Sequence, residues 1–271
     1  MQKRKRQDSF LSKKEAQVTI FIIIGIFLIA VLALFFFLRE EMGFETSGGG
    51  ETNSASFLQT CLEEKINEAV KIISNQGASI NPFLYIEFKF SDEEGYTNIT
   101  YLCYNQNQDE YCINQEPMLM KHIEGEIQGY ISQEVNGCFE DLKISLEDQG
   151  YEIDSLNSHY NGFDVELIEK RIIVNIDGDL TLTKSEQTTM QEGFKIIFPS
   201  RLYETAFIAQ EIVSQEARFC EFDELNYMMF NQNYKVSKTS TLNSTIIYKI
   251  EHRDSSNKFK FAIKEKCTPA D

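Results

Sequence analysis

The chain has 271 residues and a formal net charge of −16, from 42 Asp and Glu against 26 Lys and Arg. Nucleic-acid binding needs a basic footprint, and beyond the first 17 residues none is visible, so nucleic acid is excluded as a partner. The six cysteines include no C-x-x-C pair, which argues against a zinc ribbon or a thioredoxin-like redox site.

Residues 1–17 form a basic leader, with six Lys and Arg between Lys3 and Lys14 against Asp8 and Glu15, a net of +4 (6 − 2). Residues 18–38, VTIFIIIGIFLIAVLALFFFL, carry no charge and have the length of a bilayer-crossing helix. Excess Lys and Arg mark the cytoplasmic side. The expectation is therefore a single-pass protein of the cell membrane, with its N-terminus cytoplasmic and its C-terminal domain extracellular. Residues 39–55 hold three consecutive glycines, Gly48 to Gly50, among small polar residues and read as a flexible tether.

Residues 56–271 are long enough for one large domain or for two small ones divided near 150–160. Leu58, Leu62, Ile66, Ala69 and Ile73 recur at helical spacing, and Gly77 supplies a stop. Phe83 to Phe90 alternates as a strand, with Ile99 to Tyr104 as its partner. Pro117 opens a second helix whose stripe runs through Leu119, Ile123, Ile127, Ile131, Val135 and Leu142 to Gly150. From Gly162 the period is two. Arg171–Ile176 and Asp179–Thr183 flank Asp177-Gly178, which predicts a type I′ hairpin there. Gly193 to Phe198 predicts another strand. Pro199-Ser200 opens a third helix with Leu202, Ala206, Ala209 and Val213 on one face. Strands over 233–238, 244–252 and 258–264 complete an α+β class: an N-terminal transmembrane helix, then about three long helices with mostly antiparallel sheet.

An even cysteine count in a domain outside the cytoplasm points to disulfides. Cys103 and Cys112 close a short polar loop after a strand. Cys61 and Cys138 each fall on the apolar stripe of a helix and should face one core. Cys220 ends the third stripe, and Cys267 follows the last strand. The expected pairs are Cys103–Cys112, Cys61–Cys138 and Cys220–Cys267. Sequons at Asn98 and Asn243 mark candidate glycosylation sites.

His122 and Glu126 stand four apart and could share a helix face, but two ligands without a third do not make a metal site. His159 and His252 lack a nearby nucleophile pattern. There is no G-x-S-x-G, H-E-x-x-H or glycine-rich phosphate loop, and no cofactor motif. The expected role is binding or envelope structure rather than catalysis, with the lipid bilayer, cell-envelope proteins or further copies of the chain as partners. A surface hydrolase with a dispersed active site is the alternative that motifs cannot address.

The stretch Lys13-Lys14-Glu15-Ala16-Gln17-Val18-Thr19-Ile20-Phe21 resembles the opening of a group of uncharacterised archaeal single-pass membrane proteins. Arg171 to Glu211 resembles that group more loosely. The same opening is similar to class III signal peptides of type IV pilin-like proteins. That likeness implies cleavage between Ala16 and Gln17 and a filament subunit. The sequence departs from the pilin pattern at Phe21, where that pattern has a glutamate, and at Gly48 to Gly50, which interrupt the continuous helix.

Overall fold

The computed structural model describes residues 51–91, 94–106, 111–241, 243–255 and 257–264, together with Gly25 and Phe27. The chain divides into two compact units, Met1–Gly49 and Gly50–Asp271, and every element below belongs to the second.

Helix α1 (Glu51–Gln76) begins inside the stretch expected to be a tether. It forms because Leu58, Leu62, Ile66, Ala69 and Ile73 line up on one fully buried face. Gly77 ends it in the left-handed region, with φ at +74°. Helix α2 (Leu119–Asp148) buries Leu119, Ile123, Ile127, Ile131 and Val135 in the same way. Helix α3 (Leu202–Phe219) follows the long second sheet, and the Ser200 hydroxyl accepts the Leu202 amide hydrogen at its start. A short fourth helix, α4 (Glu224–Phe230), is capped by Asp223, whose carboxylate accepts from the Asn226 amide.

One sheet has the order β1-β2-β10-β9-β8, built from Tyr85–Phe88, Thr97–Tyr104, Lys258–Lys264, Thr245–His252 and Tyr234–Ser240; β3 (Ile113–Asn114) also pairs with β2. β10 runs parallel to β2 and antiparallel to β9. Both faces of this sheet are covered, so β10 reads as an almost continuous buried run. α1 and α3 lie on one face, and Leu84, Ile86, Phe88 and Phe90 pack on the other.

The second sheet is a meander of β5 (His159–Ile168), β6 (Arg171–Lys184) and β7 (Gln187–Pro199), with β4 (Glu152–Ile153) paired to the end of β6. α2 lies on β5, and α1 touches β7. One core cluster runs through the helices and both sheets.

Three sequence expectations are corrected. Among the described residues, no helix is long and apolar enough to cross a membrane. Of the stretch 18–38 only Gly25 and Phe27 are described, so the rest of that expected span lies outside the described residues. A crossing helix must be apolar all round, whereas α1 and α2, long enough at 26 and 30 residues, are amphipathic and carry charged outer faces. The N-terminal transmembrane helix of the expected fold class, and the single-pass location in the cell membrane with an extracellular domain that rested on it, are withdrawn. The described architecture is α+β, with two sheets and four helices.

The hairpin at Asp177-Gly178 is also corrected. Both residues lie inside β6, where the pairing with β5 and β7 shifts register on either side. That is a bulge rather than a turn. Gly178 is needed there because a Cβ would lie 3.0 Å from the His159 carbonyl oxygen and 3.0 Å from the Phe139 ring. The two-residue turn falls instead at Ser185-Glu186, both with positive φ, as the primed geometry requires.

Candidate functional site: an acidic aromatic cleft beside α3

The residues singled out in the sequence serve mostly as braces. Cys61–Cys138 ties α1 to α2 with Cα atoms 5.9 Å apart, and Cys103–Cys112 closes the β2–β3 loop at 5.3 Å. Cys220 is disulfide-bonded too; Cys267, the partner expected for it, lies outside the described residues. His122 and Glu126 pin the segment that follows α1. The His122 Nε2 sits 3.2 Å from the Ser79 hydroxyl, and Glu126 accepts from the Ile80 amide at 2.7 Å. The second ring nitrogen of His122 faces Glu116 at 3.5 Å.

Among the described residues, the one group with metal-ligand spacing is Cys61, Glu134 and Cys138, and its two sulfurs are joined in the disulfide. His159 is exposed. His252 is buried against Tyr234, edge to face, with ring centroids 5.1 Å apart. Asn98 is half-buried in β2, and Asn243 is exposed between β8 and β9. Thr245, which completes the second sequon, is buried and hydrogen-bonded to the Tyr101 hydroxyl at 3.0 Å. Ala16 and Gln17 lie outside the described residues.

A cleft of about 380 Å³ opens where α3, α4, the β5–β6 turn and the start of β8 meet. α3 supplies Tyr203, Glu204, Phe207 and Glu211, which share one side of the helix at 100° per residue. The turn adds Glu169, α4 adds Tyr227, and β8 adds Tyr234. Three carboxylates and four aromatic rings therefore converge. The Tyr203 and Phe207 rings are nearly parallel, with centroids 6.3 Å apart.

Glu204 is the unusual member. Both its carboxylate oxygens are shut off from solvent, and neither accepts a hydrogen bond among the described residues. Arg201, one turn earlier, approaches to 3.7 Å and supplies a counter-charge without a hydrogen bond. A buried carboxylate without hydrogen bonds is costly, and the Arg201 charge offsets part of that cost.

The tyrosines report the same field. Burial pushes the Tyr227 hydroxyl far above its ordinary range, and the Glu211 carboxylate, which accepts its hydrogen at 3.3 Å, adds to the shift. Burial likewise raises Tyr234, with Glu204 the next cause and Arg201 opposing it. The phenols stay neutral, and the cleft presents negative charge beside π faces, an arrangement that attracts organic cations.

None of these residues carries a motif. Its one linear trace is the Tyr203–Phe207–Glu211 row at i, i+4 and i+8, off the apolar stripe of α3. No protein family, curated protein or solved structure matches this chain.

Proposed function

We propose that this is a disulfide-braced binding protein whose α3–α4 cleft captures a guanidinium or alkylammonium group of a partner molecule. The observation that carries the reading is Glu204, a carboxylate enclosed among aromatic rings with neither oxygen hydrogen-bonded among the described residues. A cation seated there gains ring-quadrupole attraction of about 0.5–2 kcal/mol. It also supplies the donors that Glu204 lacks. The overall charge of −16 steers a basic partner toward the surface. Arg201 stands as the resident competitor.

The chain has no tryptophan to mask tyrosine emission, and three of its 12 tyrosines, Tyr203, Tyr227 and Tyr234, line the cleft. Titration of the full chain with arginine amide, and separately with tetramethylammonium, should give saturable binding. Glu204→Gln keeps the shape and should weaken it about tenfold, the magnitude of one charge-assisted hydrogen bond. Arg201→Ala should strengthen it by vacating the resident guanidinium. Equal affinities in wild type and Glu204→Gln would defeat the proposal.

A further inference from the structure

A second recess, of about 330 Å³, lies on the other side of α3. Leu202 and Thr205 face it, roughly half a helical turn away from the side that carries Glu204 and Glu211. The far walls come from the last turns of α1, through Asn67, Lys71 and Ser74, and from the start of β10, through Asn257 and Lys258.

Its chemistry inverts that of the cleft. Acids outnumber bases by 42 to 26 along the chain, yet among the described residues this lining holds two lysines and no carboxylate. Among the described residues, no hydrogen bond or ion pair engages the side chains of Asn67, Lys71, Ser74 or Asn257. Two side-chain amides and a hydroxyl thus keep donors and acceptors for a ligand. Val70 and Leu202 add an apolar floor.

We propose that this recess binds an anionic monosaccharide, a sugar ring bearing a carboxylate or a phosphate. Lys71 takes the oxyanion through a charge-assisted hydrogen bond. The amides of Asn67 and Asn257 take ring hydroxyls as both donor and acceptor. Val70 and Leu202 meet the C–H face of the ring. The volume is at the lower end of the range for small-molecule pockets, which fits one ring rather than a chain of them.

Calorimetry on the full chain at low ionic strength tests this, with glucuronate, glucose 6-phosphate, glucose and inorganic phosphate as probes. Saturable binding of glucuronate or glucose 6-phosphate is expected, and whichever binds more tightly identifies the oxyanion. Glucose should bind at least tenfold more weakly. Lys71 is exposed, so Lys71→Gln should fold normally and weaken the anionic sugar about tenfold. Glu204→Gln, on the other side of α3, should leave this binding unchanged. The proposal fails if neither anionic sugar binds, if inorganic phosphate binds as tightly as they do, or if Lys71→Gln binds like wild type.

Discussion

The hydroxyl of Tyr248 donates to Glu216, and both residues are wholly shut off from solvent. Tyr248 is itself stacked on Phe261 of β10, with ring centroids 5.3 Å apart. Lys238 reaches the same carboxylate oxygen at 3.3 Å. The pair therefore fastens the last turn of α3 to the middle of β9. Tyr248→Phe leaves the ring packing intact and removes one donor from a buried charge. It should cost about 1–3 kcal/mol of stability. Urea unfolding should show a lower midpoint at unchanged slope, and a loss below 0.5 kcal/mol would remove this bond from the account.

The two described disulfides should differ in worth. Cys61–Cys138 closes a loop of 77 residues, and Cys103–Cys112 closes one of 9. Chain entropy gives about 4.5 kcal/mol for the first and about 2.5 kcal/mol for the second. The double variant Cys61→Ser/Cys138→Ser should lose the larger share in thermal unfolding. Equal losses would mean that residual structure in the unfolded chain, rather than loop length, sets the difference.

Tyr227 makes the domain sensitive to alkali. Its folded pKa lies above the unfolded value, so its contribution is fully present below about pH 10, the ordinary tyrosine value. It is lost as pH rises from there toward the raised folded value. Stability should fall above pH 10, and Tyr227→Phe should flatten that fall. The measurement is the urea midpoint at several pH values from 8 to 11. A variant with the wild-type slope would reassign the effect to Tyr160 or Tyr234, which burial also raises.

Gly77 offers a test of close packing. Its φ is +74°, and a Cβ would stand 2.8 Å from the Lys260 carbonyl oxygen, which is backbone and cannot swing away. Gly150, at φ +83°, has open space around it. Gly150→Ala should show only the left-handed strain, about 1–2 kcal/mol. Gly77→Ala should cost clearly more, because α1 must lift from β10. Similar losses in the two variants would show that the junction yields without resistance.

The three long helices and the β8–β10 strands were legible because each repeats one chemical choice over many residues. Leu58 to Ile73 and Leu119 to Leu146 place an apolar residue wherever the helix turns inward. Cys61 could be paired with Cys138 on the same ground, since both lie on those stripes. Where one short signal carried the reading, context overrode it. Asp177-Gly178 has turn chemistry, but Phe139 packs over Gly178 and the strand runs on as a bulge. Ser185-Glu186 lacks the usual turn residues and makes the turn all the same. Length with low polarity read as a membrane span, although the long helices described here are amphipathic.

The cleft was hidden for a different reason. Glu169, Glu204, Tyr227 and Tyr234 come from four separate elements, so only the tertiary fold brings them together. α4 was missed altogether, since it buries no residue and leaves no periodic stripe to read. The Asp223 cap was its one advance notice.

The position of β10 has a consequence for biosynthesis. This strand lies inside its sheet, parallel to β2 and beside β9, and supplies the buried Phe259, Phe261 and Ile263. Until the ribosome has passed Lys264, β2 and β9 expose bare edges that nothing else in the described fold can cover. Completion of this sheet therefore waits until β10 has been made. Any product terminated before Lys258 would present two sticky strands to chaperones and proteases.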